Sequence, residues 1–473
     1  MSAGRLELAL ASAGELLQGY RAGSFTPVDA LDAVLWQLER LEPELNAFCL
    51  VDAESAMAQA QASARRWKVG EATGLLDGVP VSVKDIILAR GWPTLRGSRT
   101  VDPHQEWNED GPAVARLREQ GAVLFGKTTT PEFAFKGVTD SPLTGITRNP
   151  WNTALTPGGS SGGSSAAVAS GIGPLALATD AGGSVRIPAS FAGVFGHKPS
   201  GGRVAMYPPT PYASLAGFGP ISRTVGDAAL MMSVIAQPDL RDSDADQGQP
   251  PAYHTHLEDA DPRKWRIAWS PTLGFVDVQP EVRRIAEKAV AAFADMGAEV
   301  EEVEHVMDDP WPVLARFKRG LTAYAFRNLS ASRHAEMDPA LVEEIEQAQG
   351  ADLNEHLDAQ MERAVLVRHM NAFHERYDLL ITPTTAVLPF AAGRNSPEGY
   401  EGRSWYGFTF PFNLTRQPAA SVPCGLSDTG LPVGLQIVGP PRGDLLVLQA
   451  ARAFEKMRPW PIAAPIAFKD DAQ

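Results

Sequence analysis

The sequence predicts an α/β protein with a large mixed, mostly parallel central sheet, helices on both faces of the sheet and a helical N-terminal cap. The first 70 residues have helical periodicity, and from residue 78 onward short apolar runs alternate with helical patterns. The chain has 473 residues, of which 44% are apolar and 21% charged, so it is long enough to bury a large core.

The predicted cap contains two helices. Thr26 and Pro27 mark the start of the first, because a threonine hydroxyl can cap free N–H groups and proline fits the first helical turn. Leucines then recur at helical spacing. The second helix is predicted over residues 53–68, which are rich in alanine, glutamine and arginine.

The remaining elements follow from short apolar runs bounded by turn residues. Residues 310–376 are predicted to be mostly helical, and residues 239–249 are predicted to form a surface connection because they are acidic and poor in apolar side chains. The predicted strands are 79–83, 122–125, 175–178, 265–269, 378–382, 420–422 and 433–438, and the predicted helices are 112–120, 164–170 and 280–296.

Composition excludes several classes of protein. The net charge is −14 and no cluster of lysine and arginine occurs, so binding to nucleic acid or to an anionic membrane is not expected. Cys49 and Cys424 are the two cysteines, which argues against a disulfide framework and a thiolate metal site. The sequence shows neither a secretory leader nor about 18 consecutive apolar residues, so we expect a cytoplasmic location.

Two glycine–serine loops and one lysine are the strongest candidates for chemistry. Residues 158–164 read Gly-Gly-Ser-Ser-Gly-Gly-Ser, and residues 180–184 read Asp-Ala-Gly-Gly-Ser. Glycines leave backbone N–H groups uncovered, and such groups can hold an oxyanion next to a nucleophilic hydroxyl. Lys84 ends an apolar run, and a dehydrated lysine can lose its proton and act as a base. These features indicate serine acyl transfer without histidine.

Blander interpretations of the same residues stay open at this point. A Gly-Gly-Ser segment can be a simple tight turn, and Lys84 can be a salt-bridged surface lysine. Cys424 is a weaker candidate nucleophile, because nothing near it in the sequence would lower its pKa.

Two familiar patterns are interpreted as false matches. Residues 121–128 have the spacing of a phosphate-binding loop, but the four residues inside it are apolar and indicate a buried strand. Residues 158–162 fit the nucleophile elbow of α/β-hydrolases, but turn residues precede them where that elbow needs a strand.

Longer motifs surround the two loops. Residues 156–199 contain Pro-Gly-Gly-Ser-Ser-Gly-Gly-Ser, then Thr-Asp-Ala-Gly-Gly-Ser-Val-Arg-Ile-Pro-Ala and Gly-His-Lys-Pro-Ser. With these motifs the chain resembles the amidase signature family over roughly residues 5–460, most weakly over 240–400. Further matching segments lie at 78–85, 126–133, 219–225, 411–415 and 430–436.

The resemblance implies a set of catalytic roles. Ser184 is the implied nucleophile, Ser160 the bridging serine in a cis peptide bond, and Lys84 the base. The backbone N–H groups implied to hold the oxyanion are those of Ala181, Gly182, Gly183 and Ser184.

Neighbouring residues receive supporting roles. Asp180 and Arg186 are expected to orient the nucleophile loop, and Ser161 is expected to add a hydrogen bond. His197 is interpreted as a packing residue. Arg416 stands where the family often has glycine, and it could meet an acidic substrate or reach solvent, which we favour.

The resemblance further implies one domain over residues 1–473. Its parts are a helical cap at 1–70, a catalytic core segment at 78–225, a variable helical region that shapes the substrate site at 240–400, and the C-terminal part of the core at 405–460.

The implied activity is hydrolysis of carbon–nitrogen bonds in small aryl or alkyl amides, and also in esters and carbamates, without metal or organic cofactor. The expected partner is a small-molecule substrate, and the expected state is a monomer or homodimer. Two alternatives are the glutamine-hydrolysing subunit of a tRNA-dependent amidotransferase and a non-catalytic subunit that retains the fold. Candidate pocket aromatics are Trp92, Tyr207, Tyr212, Trp311, Tyr324 and Trp405.

Overall fold

An 11-stranded mixed sheet runs through the described part of the chain, residues 2–400 and 405–469 of a computed structural model. Helices cover both faces, which confirms the predicted α/β class. The strands are β1 (Phe48–Val51), β2 (Pro80–Lys84), β3 (Val123–Thr128), β4 (Asp140–Ser141), β5 (Gly145–Ile146), β6 (Leu175–Asp180), β7 (Phe195–Lys198), β8 (Gly217–Ser222), β9 (Arg266–Trp269), β10 (Glu299–Glu302), β11 (Leu379–Pro383), β12 (Ala419–Leu426) and β13 (Pro432–Val438).

The helices follow the strands along most of the chain. None of them, within the described ranges, has the length and apolar character that crossing a bilayer requires. They are α1 (Ser2–Leu10), α2 (Ala13–Ala22), α3 (Pro27–Leu45), α4 (Ala53–Val69), α5 (Pro112–Glu119), α6 (Gly162–Ala169), α7 (Arg186–Ala192), α8 (Val225–Ile235), α9 (Pro280–Asp295), α10 (Trp311–Ala325), α11 (Pro339–Ala348), α12 (Leu353–Phe373), α13 (Pro411–Leu414) and α14 (Asp444–Met457).

Strand order in the large sheet is β1-β3-β2-β6-β8-β7-β12-β13-β11-β9-β10. Four neighbouring pairs are parallel and six are antiparallel, so parallel pairing is less dominant than the sequence predicts. The parallel pairs form two three-stranded blocks, β3-β2-β6 and β11-β9-β10. The strands between the blocks are antiparallel, and β12 and β13 are joined by a connection too short for a parallel crossover.

The predicted elements are present, with boundaries that differ by a few residues. The helix predicted from Pro27 is α3, and the Thr26 hydroxyl accepts the N–H of Asp29 as its N-cap. The helices expected between residues 310 and 376 are α10, α11 and α12. Residues 239–249 contain neither helix nor strand and are largely exposed, as predicted for a surface connection.

The block β3-β2-β6 positions the reactive side chains. β2 is buried along its whole length and lies between β3 and β6. The carboxyl ends of these parallel strands therefore meet at one edge of the sheet, where Lys84 ends β2 and Asp180 ends β6. The turn after β6 leads directly into α7, and α6 follows the first glycine–serine loop.

Candidate active site

Lys84 lies at the centre of the site and is fully buried. Its Nζ is 2.7 Å from Ser160 Oγ, 2.9 Å from Ser161 Oγ and 2.9 Å from Thr179 Oγ1. All three partners are hydroxyls, which can either accept from the amine or donate to it. The surface-lysine interpretation of Lys84 is therefore wrong.

This environment favours the neutral amine. Burial lowers the pKa of Lys84 well below its ordinary value, and the more distant Asp180 carboxylate only partly opposes that effect. Asp85, the next residue, lies on the other side of the strand, where its carboxylate is 3.1 Å from Lys127 Nζ. It also accepts the N–H groups of Leu95 and Gly97.

The first glycine–serine loop brings Ser160 and Ser161 to Lys84. The Gly159–Ser160 peptide bond is cis. Gly159 packs so tightly that a Cβ there would lie 2.6 Å from the backbone of Val138. The Ser161 hydroxyl lies 3.2 Å from the carbonyl oxygen of Thr179 and donates to it. This bond fixes the loop against β6.

The second loop holds Ser184 beside the first. The N–H of Ser161 donates to the carbonyl oxygen of Ser184 over 3.2 Å. Lys84 and Ser160 are fully buried, whereas Ser184 is partly exposed. The arrangement thus runs from a fully buried amine to a serine that solutes can reach.

The loop from Ala181 to Ser184 offers backbone donors, with one exception. The N–H of Gly183 donates to Asp180 Oδ1 over 2.8 Å, so this group is already used. The N–H groups of Ala181, Gly182 and Ser184 have no acceptor among the residues that the structure describes. A Cβ at Gly182 would meet no atom within 4 Å, so open space adjoins these donors.

Asp180 and Arg186 form a buried bidentate ion pair under this loop. Arg186 Nε is 2.9 Å from Asp180 Oδ2, and Arg186 Nη2 is 2.9 Å from Oδ1. Burial opposes ionisation of the carboxyl, but the Arg186 guanidinium outweighs it and lowers the pKa of Asp180. Asn413 Nδ2 adds a 2.9 Å bond to Asp180 Oδ1, which ties the pair to α13.

Sequence reasoning missed four polar residues of this network. Thr179 completes the hydroxyl set around Lys84, and its position directly before the predicted Asp180 was the available signal. The other three accept hydrogen bonds from the Arg186 guanidinium. The acceptors are the Thr409 carbonyl oxygen at 2.8 Å, Gln436 Oε1 at 2.7 Å and Asn413 Oδ1 at 2.7 Å.

Other candidate residues lie away from Lys84. His197 is buried with its Nε2 3.4 Å from Asp444, and burial lowers its pKa. Cys424 is buried, and burial raises the pKa of its thiol to about 12, which opposes a role as nucleophile. Arg416 is partly buried, has a φ of 61° and lies against Gly201.

The candidate aromatics divide into distinct groups. Trp405 is buried against Phe191, with ring centroids 5.6 Å apart, and Trp92 donates to Asp52 near the N-terminal cap. Tyr324 is exposed beside Arg327, and Tyr207 lies beside Arg241. Tyr212 and Trp311 lie at α10, where Tyr212 bonds to Thr322 and the Trp311 ring contacts Tyr406.

The segment that has the spacing of a phosphate-binding loop, residues 121–128, contains a buried strand, as predicted. Residues 123–128 are β3, and all six are buried. Lys127 Nζ pairs with Asp85 and also donates to the carbonyl oxygen of Pro93 over 3.2 Å. Its ammonium is therefore turned into the fold, and the rejection of a nucleotide site at this segment is supported.

The sequence and the fold match those of known amide-hydrolysing enzymes. The chain belongs to the amidase family, whose model matches residues 29–448. It is 36% identical to an acylamidase from Rhodococcus erythropolis, over 95% of this chain and 96% of that one. It is also 36% identical to a glutamyl-tRNA(Gln) amidotransferase subunit from Roseiflexus sp. (strain RS-1), over 97% of this chain and 98% of that one.

A solved structure agrees with this assignment. The chain superposes on the crystal structure of a bacterial aryl acylamidase of the amidase signature family with a TM-score of 0.88 and 31% identity. The alignment covers 95% of this chain and 96% of the aryl acylamidase. The protein is thus an amidase signature hydrolase that cleaves amide bonds.

Proposed function

We propose that the protein hydrolyses small aryl or alkyl amides through an acyl-enzyme on Ser184, with Ser160 and Lys84 as the proton relay. The observation that carries the proposal is the buried amine of Lys84 in contact with three hydroxyls and no carboxylate. A dehydrated amine in that setting can be neutral near neutral pH and accept a proton.

The first steps of the reaction form a tetrahedral intermediate on Ser184. Lys84 Nζ takes the proton of Ser160 as Ser160 Oγ takes the proton of Ser184. Ser184 Oγ then bonds to the carbonyl carbon, and the carbonyl π electrons move to the oxygen. The N–H groups of Ala181, Gly182 and Ser184 are the donors that we assign to this oxyanion.

The later steps form the acyl-enzyme and release the products. The oxyanion collapses, the carbon–nitrogen bond breaks, and the relay returns its proton to the leaving amine. Water then attacks the ester carbonyl, giving one proton to the relay, and Ser184 recovers that proton when the acid leaves. Esters and carbamates can enter the same sequence because their carbonyl carbon and leaving group occupy the same places.

Ser161, Asp180 and Arg186 have positioning roles in this proposal. Ser161 bonds both Lys84 and the Thr179 carbonyl, which holds the amine toward Ser160. Asp180 accepts the N–H groups of Gly183 and Val185 on either side of Ser184, and Arg186 neutralises it. These bonds fix the nucleophile loop before substrate arrives.

Covalent labelling with a fluorophosphonate, mapped by peptide mass spectrometry, tests the assignment. We expect the label on Ser184 in the wild type and a rate at least about 100-fold lower in Lys84→Met. A label on Ser160 that persists in the variant would contradict the relay. No label on either serine would contradict Ser184 as the nucleophile.

The amidotransferase relatives make hydrolysis of glutamine the competing function. Release of ammonia from L-glutamine, compared with turnover of acetanilide, separates the two. The proposal expects acetanilide to have the larger kcat/KM, and the reverse order would favour the glutaminase.

A further inference from the structure

A chain of hydrogen bonds joins α10, α11 and the segment before β8. Lys318 Nζ is 2.8 Å from Glu344 Oε2, and Thr322 Oγ1 is 3.1 Å from Glu344 Oε1. The hydroxyl of Tyr212 lies 2.9 Å from Thr322 Oγ1. Thr322 has one proton and gives it to Glu344, so Tyr212 donates to Thr322. The carboxylate is thus bonded through both of its oxygens.

This chain adjoins the nucleophile loop through Tyr406. The hydroxyl of Thr409 donates both to the carbonyl oxygen of Gly182 at 2.7 Å and to that of Tyr406 at 2.9 Å. The Tyr406 ring then contacts Trp311 and Phe410, with centroids 6.5 and 6.3 Å away. Trp311 begins α10, the helix that carries Lys318.

Tyr212, at one end of this chain of hydrogen bonds, is also linked to the nucleophile loop. Asn413 Nδ2 donates to the carbonyl oxygens of Asp180 at 3.2 Å and Leu215 at 3.0 Å. The N–H of Leu215 in turn donates to the carbonyl of Tyr212 over 2.9 Å. Tyr406 and Tyr212 are therefore each linked through hydrogen bonds to a residue of the segment just before Ser184.

A partly open space, the hollow, lies beside Lys318 and Glu344. Burial is the largest influence on the pKa of Lys318 and acts downward, although Glu344 and Tyr406 outweigh it and leave the pKa raised. A third of the Lys318 side chain (33%) is nevertheless open to solvent, as is 28% of Glu344. The pair is therefore partly shielded from solvent and still within reach of a solute.

The next residue on α10 provides the contrast. Arg319 pairs with Glu355 of α12 over 3.2 Å, and these side chains are 41% and 48% exposed. That pair lies on the outer face of the helices. It offers a matched control for changes at Lys318.

The hollow presents unused donors. An ammonium has three N–H groups, and one of those of Lys318 goes to Glu344. Neither the other two nor the hydroxyl of Tyr406 has an acceptor among the residues that the structure describes. Lys318 and Glu344 cancel in charge, so the donors lie in a site with no net charge.

We propose that Lys318 and Tyr406 form a subsite that binds an uncharged hydrogen-bond acceptor, such as a carbonyl oxygen, at the end of the substrate remote from the scissile amide. This inference rests on the proposed function. The preferred substrates are then aryl or alkyl amides that carry a neutral acceptor on their acyl or amine part. A carboxylate there meets repulsion from Glu344, and an apolar group leaves the dehydrated ammonium without a partner.

Matched substrates test the subsite. One pair places the acceptor on the amine part, 4-acetylacetanilide against 4-isopropylacetanilide, and the other places it on the acyl part, 4-acetylbenzanilide against 4-isopropylbenzanilide. The members of a pair have similar shape, and comparing wild type with variant cancels their different intrinsic reactivity. The variants are Lys318→Met and the control Arg319→Met.

In at least one pair, Lys318→Met is expected to lower kcat/KM for the acetyl substrate about 10- to 100-fold, mainly through KM. The isopropyl substrate should change by less than about threefold, and Arg319→Met should change neither. If Lys318→Met folds poorly because Glu344 is left unpaired, the double variant Lys318→Met/Glu344→Gln should show the same selective loss.

Several results would overturn the subsite. They are an equal loss for both members of each pair, no loss in either pair, an equal effect of Arg319→Met, or wild-type preference for 4-carboxyacetanilide or L-glutamine over the acetyl substrates. If fluorophosphonate still labels Ser184 and acetanilide remains preferred to L-glutamine, the proposed function stands and only the subsite fails. A preference for L-glutamine would also contradict the proposed function. If Ser184 is never labelled, both fail.

Discussion

Two buried lysines lie near the carboxyl ends of neighbouring parallel strands, and only one of them contacts a carboxylate. Lys84 of β2 and Lys127 of β3 are both fully buried, and burial lowers the pKa of each. Lys127 faces the carboxylate of Asp85 at 3.1 Å, which offsets part of that effect. Lys84 faces three hydroxyls. Burial therefore acts on both lysines, but only Lys127 has a carboxylate in contact that favours its protonated form.

The largest expected effect is a loss of activity when Lys84, and not Lys127, is replaced. Replacing the base with Lys84→Met should lower kcat by about 1,000-fold or more while the fold is kept, because methionine fills the same space without a titrating nitrogen. Steady-state kinetics on acetanilide, with circular dichroism as the check on folding, measure this. Less than about tenfold loss would remove Lys84 from the mechanism.

The matching change at the other lysine should act on stability. Lys127→Met leaves the Asp85 carboxylate buried without its cation, at a cost of about 3–5 kcal/mol in the free energy of unfolding. Denaturant unfolding measures it, and activity per folded molecule should stay near that of the wild type. The double variant Lys127→Met/Asp85→Asn should recover part of the loss. Equal loss in the double variant would argue against the ion pair as the cause.

The pH dependence of the unfolding free energy reports the protonation state of folded Lys84. Between the lowered pKa of folded Lys84 and the unfolded value of about 10.4, the unfolded chain binds one more proton, so this group makes stability rise with pH. The difference in unfolding free energy between wild type and Lys84→Met should therefore rise by about 1.4 kcal/mol per pH unit across pH 7–9. A flat difference would mean that folded Lys84 is protonated there.

The smallest expected effect concerns Thr179, one of the three hydroxyl groups around Lys84 Nζ. Thr179→Val keeps the shape of the side chain and removes one of the three partners of Lys84 Nζ. We expect the rate of acylation to fall about three- to tenfold, since Ser160 and Ser161 still orient the amine. Single-turnover kinetics measure it. A loss as large as that of Lys84→Met would show that Thr179 belongs to the relay itself.

The sequence predicted the local part of this account well. Both glycine–serine loops, Lys84 and most elements around them follow from short-range patterns, because turns, caps and buried strands have local signals. The lower share of parallel pairs was not predicted, since strand order depends on contacts far apart in the chain.

Side-chain pairing was harder to predict. The Asp85–Lys127 pair and the bond from Gly183 to Asp180 depend on register and turn geometry that no motif encodes. Lys318 and Glu344 are 26 residues apart on different helices, and nothing in the local sequence connects them. The substrate subsite is therefore visible only in the structure.

The central claim is that Lys84 is a neutral base when the enzyme works. The most direct test is the pH dependence of fluorophosphonate labelling at Ser184, because the rate reports the relay without release of an amine. We expect the labelling rate to have reached its plateau at neutral pH and to fall only in acid. This fall in acid should be absent in Lys84→Met. A rate that climbs steadily toward about pH 10, the ordinary range of lysine, would contradict this claim.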